Sequence, residues 1–318
     1  MHESKTNSNI VPVMAILGAV LLWGSAFAAM KHLVATLNPW AVMWMRTGIA
    51  TLALAPFTTR LAGPVRNGKD RFALAIMALF MPCLYFLFES YALTYTSATQ
   101  AGLISASLPL MVAVGAGIFF KEKTTLWGWS GLALSIAGVA ALTMSGAPTD
   151  SASNPALGNS LELIAMACAA GYMLLVKRLA ANYGPWTLTA VQNAAGCIFF
   201  LPGLYLLVRD GLGQDPLSIL IVAAYLGVFV TLGAFGLYNV GMSRLPAGKA
   251  SAFINLVPAI AAFFGWIILG ETLTVLQGMA SILIFAGVGL AQRGELIRKD
   301  LRAISSLVKN SGRTETAS

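Results

Sequence analysis

Residues 11–30 read VPVMAILGAVLLWGSAFAAM and contain no charged side chain. An α-helix rises about 1.5 Å per residue, so a helix of this length spans the hydrocarbon core of a bilayer, which is about 30 Å thick. A β-strand would end after about 4–8 residues. The stretch therefore predicts a helix that crosses a membrane.

Apolar runs of similar length recur along the rest of the chain. Together with the first they predict ten transmembrane helices, numbered here in chain order: 11–30, 40–59, 72–93, 98–120, 127–144, 160–175, 186–208, 216–242, 247–269 and 275–292. At about 20 residues per span, ten helices with short loops use most of the chain. The predicted fold class is an all-α membrane protein without a large soluble domain.

The composition argues against other classes of protein. Of the 318 residues, 58% are hydrophobic and 10% are charged, whereas a soluble domain carries about 25% charged residues. So few charges would not cover a soluble globule, and a disordered chain would be poorer in apolar residues. The three cysteines lie inside apolar runs without metal-ligand spacing, and we expect no metal site and no cofactor.

Lysine and arginine are distributed unevenly between the predicted loops. With the N-terminus inside, 17 of the 20 Lys and Arg residues fall on the cytoplasmic side, Lys31 and Arg209 fall outside, and Arg46 lies within a predicted span. The positive-inside rule then predicts a multi-pass protein of the cytoplasmic (inner) membrane with both termini in the cytoplasm. The basic residues form no patch with interleaved aromatic residues, so we expect no nucleic-acid partner.

The two halves of the chain resemble each other. Three features recur 146 positions later: Lys31 as Lys177, Pro39-Trp40 as Pro185-Trp186, and Pro56 as Pro202. Three more recur 149 positions later: Pro109 as Pro258, Glu122 as Glu271, and Gly138 as Gly287. Each half has five predicted helices, an odd number, so the halves enter the membrane in opposite directions. Inverted repeats of this kind are typical of secondary transporters, with the substrate site near the midplane between the halves.

These observations divide the chain into five segments. They are a cytoplasmic N-terminal tail (1–10), a first five-helix repeat (11–145), an external linker (146–159), a second five-helix repeat (160–292) and a basic cytoplasmic tail (293–318). The linker is rich in Pro, Ser, Thr and Asn, as flexible connections are.

Several motifs resemble those of the EamA-like branch of the drug/metabolite transporter superfamily. They are Leu22-Trp23-Gly24-Ser25-Ala26-Phe27 with Lys31, Arg46, Ala92-Leu93-Thr94-Tyr95-Thr96-Ser97-Ala98, and Glu122 followed by Gly128 and Gly138. The resemblance covers about residues 10–292. It implies two inverted five-helix units around a cavity lined by helices one, three, four, six, eight and nine, and it implies export of amino acids, other small metabolites or toxic compounds.

The function expected from the repeat and the resemblance is export of a small organic metabolite by alternating access, with an amino acid or a related compound as the first guess. Uptake or exchange is the alternative within transport. An intramembrane enzyme is disfavoured, because the only histidines, His2 and His32, lie outside the predicted spans. The expected partners are the substrate and the lipid bilayer, and a monomer and a homodimer both remain open.

Arg46 and Glu89 are the two charged residues predicted well inside spans, where charge is costly and functional by default. Both lie at a similar depth, and Tyr85 shares the helix face of Glu89 at the i, i+4 spacing. Their counterparts in the second half are Gln192 and Tyr238. The pair either contacts substrate, with Glu89 able to carry a proton, or holds two helices together.

Further binding candidates are aromatic or lie near prolines. Trp23, Tyr172 and Tyr238 with Asn239 could form an aromatic cage, or could pack against lipid and neighbouring helices. Pro109 and Pro258 are predicted to kink helices four and nine near their centres, with Ser105 and Asn255 close by. Such breaks either present backbone to a substrate or serve packing alone.

Four charged residues at helix ends suggest two gates. Lys31 and Glu271 fall on the outer side, and Lys177 and Glu122 fall on the inner side, with one partner of each pair from either half. Each pair would close while the other opens. Alternatively, these side chains extend to the headgroups as interfacial anchors.

Overall fold

The computed structural model describes residues 4–57, 68–120, 126–149, 152–179, 182–244, 253–290 and residue 293. Within these residues the regular structure is helical, and the β-type pairing is a single isolated bridge between Thr149 and Ala152. The helical prediction is therefore confirmed.

Ten helical segments follow one another in the described parts of the chain, and each overlaps one predicted run. They are α1 (Ser4–Val34), α2 (Pro39–Leu54), α3 (Gly68–Tyr95), α4 (Ala98–Phe119), α5 (Leu126–Met144), α6 (Pro155–Leu179), α7 (Pro185–Phe199 and Pro202–Asp210), α8 (Pro216–Ala224, Tyr225–Gly233 and Ala234–Arg244), α9 (Val257–Leu269) and α10 (Val275–Leu290). Helix α1 begins within the predicted N-terminal tail. Helix α6 begins at Pro155, five residues before its predicted start.

Six of these helices are long and apolar enough to cross a membrane. A seventh span results if the two segments of α7, which are bent by 56°, are taken as one, whereas α9 and α10 are shorter. Ten spans in two inverted repeats therefore stay a prediction.

Two helices contain π-helical segments that the sequence analysis did not predict. Leu79–Leu84 interrupts α3, and Met81 within it has extended backbone angles (φ −144°, ψ 120°). Tyr225–Gly233 forms the middle of α8. The two segments begin 146 residues apart, which is the offset of the first repeat matches. The two halves thus have π-helical segments at corresponding positions of their third helices, and only α3 is broken there, at Met81.

The predicted proline kinks differ between the halves. Pro109 follows a 3-10 turn, Ser105–Ser107, in the middle of α4, as predicted. Pro258 lies in the first turn of α9, just after a turn at Asn255–Leu256, and not at the centre of a helix. This position suits proline, because the first turn of a helix leaves its N–H groups without intrahelical acceptors.

The buried core lies around α1, which packs against α8, α9 and α3. Its fully buried side chains include Ile16, Met30 and Leu33. Large apolar side chains on the peripheral helices are exposed instead: Ile118, Phe119, Trp129, Ile136, Trp266, Ile267, Met279 and Ile282. In water such a surface would favour association; facing lipid, it is the ordinary exterior of a membrane protein.

Helices α5 and α10 cross with a twofold pattern of contacts. A Cβ atom on Gly138 would lie 2.8 Å from the backbone nitrogen of Ile284 and 3.0 Å from the carbonyl of Ala280. A Cβ atom on Gly287 would lie 2.6 Å from the backbone nitrogen of Ser135 and 2.6 Å from the carbonyl of Gly131. Gly131, Ser135 and Gly138 stand 149 positions before Ala280, Ile284 and Gly287, so each contact has its counterpart with the halves exchanged. Such reciprocity is the mark of a twofold relation.

Replacing Gly287 with alanine should destabilise the protein by about 1–3 kcal/mol, because the added methyl group meets backbone atoms of α5 that no side-chain rotation can move away. Thermal unfolding in detergent should show a lower midpoint. Gly289, in the same helix, has open space around the corresponding position. Equal midpoints for Gly287→Ala and Gly289→Ala would contradict the close α5–α10 crossing.

Candidate functional site

Arg46 and Glu89 lie together in the interior, as predicted. Arg46 Nη1 on α2 is 3.7 Å from Glu89 Oε2 on α3, and the side chains are only 7% and 8% exposed. Tyr85 OH donates a hydrogen bond to Glu89 Oε1 at 2.5 Å. The guanidinium carbon of Arg46 also lies 4.0 Å from the centre of the Phe86 ring. We call Arg46, Tyr85, Glu89 and the neighbouring Glu162 and Thr231 the charged cluster.

The π-helical segment of α8 provides the second anchor of Arg46. Thr231 Oγ1 accepts a hydrogen bond from Arg46 Nε at 3.0 Å and donates one to the carbonyl of Leu226 at 2.8 Å. Gly227 lets α2 approach this segment closely, since a Cβ atom there would lie 2.9 Å from the carbonyl of Arg46. The sequence analysis missed Thr231, because threonine in an apolar run carries no distinctive signal.

Glu162 on α6 is the functional candidate that the sequence analysis overlooked. It is fully buried, and its helix packs against α3, which carries Glu89. The predicted sixth helix began at residue 160, which placed Glu162 at the membrane boundary. Because α6 begins at Pro155, Glu162 lies two turns inside the helix. In the sequence, Glu162 is a carboxylate at the start of an apolar run, only two residues inside the predicted start of the sixth helix.

The packing of α6 against α3 brings Glu162 to the level of Glu89. At one end of the contact, a Cβ atom on Gly158 would meet Thr96 and the carbonyl of Ala92. At the other end, a Cβ atom on Gly171 would meet the ring of Phe80. The two helices thus run antiparallel in a register that sets residue 162 opposite residue 89.

A second group of predicted residues forms an aromatic cluster between α1 and α8. The ring centres of Trp23 and Tyr238 are 5.2 Å apart, and those of Trp23 and Phe235 are 5.5 Å apart. The hydroxyl oxygens of Ser25 and Tyr225 are 2.5 Å apart. The side chain of Asn239 lies outside the described residues.

Tyr172 and Gln192 meet at the break in α3. Gln192 Nε2 donates to the carbonyl of Met81 at 3.1 Å, and Tyr172 OH donates to Gln192 Oε1 at 3.4 Å. The break releases the Met81 carbonyl from the helix, and a side chain from α7 satisfies it. These two predicted residues therefore line the broken segment of α3.

Lys31 and Glu271 both bind the connection between α3 and α4. Lys31 Nζ donates to the carbonyls of Leu93 (2.6 Å) and Thr96 (2.8 Å) at the C-terminal end of α3. Glu271 accepts from the backbone N–H groups of Ala98 (2.8 Å) and Thr99 (2.7 Å) at the N-terminal end of α4. Each charge complements the helix dipole that it faces, and Glu271 attracts Lys31 electrostatically. We call residues 93–99 the outer segment, because the charge distribution predicts that this end of α3 faces the outside.

Side chains from α6 hold the outer segment as well. Thr96 Oγ1 donates to Asn159 Oδ1 at 2.7 Å, and Asn159 Nδ2 donates to Gln100 Oε1 at 2.9 Å. Gly265 allows Glu271 to approach, because a Cβ atom there would collide with Thr99 Oγ1 and with the carboxylate of Glu271. Residues from both halves thus converge on the outer segment.

The remaining predicted residues are not part of these groups. Ser105 is half-buried in the 3-10 turn, where its hydroxyl donates to the carbonyl of Gly102 at 2.6 Å, and Asn255 is half-buried in the turn before α9. For the proposed inner gate, Glu122 and the side chain of Lys177 lie outside the described residues. Within the described parts of the chain, no group of three or more His, Cys, Asp or Glu residues could hold a metal ion.

Comparison with known proteins identifies the family. The profile of the EamA-like transporter family matches residues 10–144 and again residues 156–292. The chain belongs to the EamA-like transporter family. Together with the apolar helices, this makes it a multi-pass membrane protein.

Two relatives of this EamA-like protein have names that describe a transporter or an exporter. It is 29% identical over 289 residues to the "Uncharacterized transporter YcxC" of Bacillus subtilis, which covers 87% of this chain and 90% of the relative. It is 25% identical over 288 residues to the "Probable terminal-alkyne amino-acid exporter" of Streptantibioticus cattleyicolor, covering 90% and 95% of the two chains. A crystal structure with 17% sequence identity superposes with a TM-score of 0.58 over 91% of this chain and 97% of the other, which concerns the fold alone.

A cavity with a volume of about 480 Å³ lies between α3 and α6 of this EamA-like protein. Its lining includes Lys69 and Phe72 at the start of α3, and Leu175 and Arg178 at the end of α6. The helix ends that line it are those that the charge distribution predicts to be cytoplasmic. The cavity and the outer segment thus lie toward opposite ends of the same two helices.

Proposed function

We propose that the protein is a secondary transporter that exports a small organic metabolite across the cytoplasmic membrane. The observation that carries the proposal is the pair of π-helical segments at corresponding positions of α3 and α8, next to the buried Arg46–Glu89 pair. Interrupted helices at corresponding positions of two repeats are the best structural pointer to a transporter's binding site. The names of the relatives describe transporters, which supports transport and not catalysis.

The proposed mechanism is alternating access between two inverted five-helix repeats. The reciprocal glycine contacts of α5 and α10 support a twofold relation between the halves. The outer segment is bound by residues of both halves, and the cavity between α3 and α6 lies at the other end of these helices. Both features favour a conformation that is closed on the outer side.

An amino acid is the substrate class that we propose first. Within the charged cluster, Arg46 offers a guanidinium and Glu89 a carboxylate, which match the carboxylate and ammonium groups of an amino acid. The aromatic cluster around Trp23 provides an apolar surface beside them. The relative named as a probable terminal-alkyne amino-acid exporter supports this class. Import or exchange of the same substrates is the alternative direction.

Counterflow in proteoliposomes tests the proposal directly. Vesicles loaded with the unlabelled proteinogenic amino acids, tested one at a time, should accumulate the labelled form of at least one of them. A matched control is Asp210→Asn, which removes an exposed carboxylate far from the buried groups. Absence of exchange for every amino acid, with the protein folded in the vesicles, would overturn the substrate class. Net efflux from right-side-out cells then decides between export and import.

We also propose that both termini are cytoplasmic. A reporter fused after Gln292 should have cytoplasmic activity, and one inserted near Asp150 should be external, because the positive-inside rule assigns the basic loops to the cytoplasm. An external signal after Gln292 would contradict the even number of spans.

A further inference from the structure

Glu162 is buried without the hydrogen bonds that a carboxylate needs. Neither of its carboxyl oxygens has a hydrogen-bond partner among the residues that the structure describes, and its side chain is fully buried. Arg46 Nη1 and Glu89 Oε2 are likewise without hydrogen bonds in the described residues. An isolated ionised carboxylate in such surroundings is strongly disfavoured.

The charges of the cluster do not balance if both carboxyl groups are ionised. Arg46 is the one cation of the cluster in the described part of the chain, and it forms an ion pair with Glu89. The hydroxyl of Tyr85 also donates to Glu89. The ion pair with Arg46 and the hydrogen bond from Tyr85 therefore stabilise an ionised Glu89, while Glu162 opposite has neither in the described residues. A proton on Glu162 removes both the unpaired charge and its repulsion with Glu89.

The helices that pack on α6 provide no other charge near Glu162. On α3 the facing ionisable groups are Tyr85 and Glu89, with Tyr91, Tyr95 and Cys83 farther along, and Lys69, Asp70 and Arg71 lie at its cytoplasmic start. The described residues of α4 and α5 include no charged side chain. On α6 itself, Cys168 stands six residues away, and Tyr172, Lys177 and Arg178 stand more than two turns away, toward the other end.

We propose that Glu162 is the proton-carrying group of this transporter, and that Glu89 serves as the fixed ion-pair partner of Arg46. The inference rests on the proposed transport function. In each cycle the Glu162 carboxylate takes up one proton from the outer side and releases it to the cytoplasm, while substrate moves outward. The O–H bond of the Glu162 carboxyl group is the only covalent bond that forms and breaks in this step.

The structure also connects Glu162 to the outer segment. Asn159 lies three residues before Glu162 on the same helix, and it binds both Thr96 and Gln100. Release of the outer segment therefore breaks contacts one helical turn from Glu162. Opening on the outer side and access of protons to this carboxyl group thus depend on the same contacts.

Infrared spectroscopy of the whole protein tests the protonation of Glu162 without any substrate. A protonated carboxyl group has a carbonyl stretch that shifts in deuterated water, and the wild-type protein should show this band at neutral pH. The band should be lost in Glu162→Gln, whose amide has the shape of the protonated acid and therefore preserves packing. It should persist in Asp210→Asn. An unchanged band in Glu162→Gln would overturn the proposal.

Transport measurements separate this inference from the proposed function. With an amino acid that the wild-type protein exchanges, Glu162→Gln should retain counterflow, but accumulation driven by an imposed pH gradient should fall to the level of protein-free vesicles. Glu162→Asp, which retains an ionisable group, should restore part of the accumulation. Gradient-driven accumulation at the wild-type level in Glu162→Gln would overturn the inference. Failure of wild-type counterflow would overturn the proposed function, and the infrared result would still decide whether Glu162 holds a proton.

Discussion

Replacing Arg46 with methionine should lower the free energy of unfolding by about 3–5 kcal/mol, because removal of one partner leaves the other charge of a buried pair uncompensated. Glu89 would retain the hydroxyl of Tyr85 as a hydrogen-bond donor, but it would face Glu162 with no cation nearby. The amount of folded protein in the membrane and the thermal midpoint in detergent measure this effect.

The double variant Arg46→Met, Glu89→Gln should recover most of the lost stability, since it leaves neither charge unpaired. A matched control is Arg209→Met, because Arg209 also forms an ion pair, with Asp210 at 2.6 Å, but on an exposed surface. We expect no measurable change there, since solvent screens exposed pairs. If Arg46→Met were as stable as Arg209→Met, the pair would not be the buried anchor that the structure describes. Recovered stability without recovered transport would assign the Arg46–Glu89 pair a role in transport as well.

The helices could be predicted from the sequence because length alone separates membrane helices from strands. Helix ends were less accurate, since polar residues such as Asn159 occur on both sides of a membrane boundary. The consequence was specific: the predicted start of the sixth helix left Glu162 at the edge, and the boundary decided whether the residue counted as intramembrane. A charge within two residues of a predicted end therefore merits the same attention as a central one.

The helix breaks show a different limit. Pro82 lies in the break of α3 and could have been recognised, since proline removes a helical hydrogen bond. The π-helical segment of α8 contains no proline. Its π-helical segment depends on Thr231, which binds the Leu226 carbonyl five residues earlier and receives the Arg46 side chain from α2. A contact from a helix so distant in sequence leaves no local pattern.

The candidate site could be predicted only where charge is rare. Arg46 and Glu89 stood out because few charged residues occur within apolar runs, and the structure brings them together. For Lys31 and Glu271 the sequence predicted a position at the same end of the helices, and both bind residues 93–99, but it did not indicate the backbone groups that they bind. Every residue has a carbonyl group and nearly every residue has an N–H group. The sequence of the outer segment therefore does not indicate that two charged side chains bind its backbone.

Replacing Glu271 with glutamine should release the outer segment and favour the outward-open conformation. Glutamine retains one acceptor oxygen, but Glu271 now accepts from two N–H groups, at Ala98 and Thr99, and also attracts Lys31. A hydrogen bond to a charged group contributes about 1.5–3 kcal/mol, and each 1.4 kcal/mol is about a tenfold change in an equilibrium. The open population should therefore rise about tenfold or more.

A cysteine in place of Thr99, which is now buried at the start of α4, provides the measurement. A membrane-impermeant maleimide added from outside should label Thr99→Cys slowly, and about tenfold faster or more when Glu271→Gln is also present. Asp215→Asn is the matched control, since Asp215 also caps a helix through a backbone N–H, that of Ser218, but on an exposed surface. Asparagine is an equally good cap, so labelling should not change. If Glu271→Gln and Asp215→Asn labelled at the same rate, Glu271 would only cap α4. A difference between them would show that the cap also closes the outer side, because the same carboxylate then restrains a segment that both halves of the protein bind.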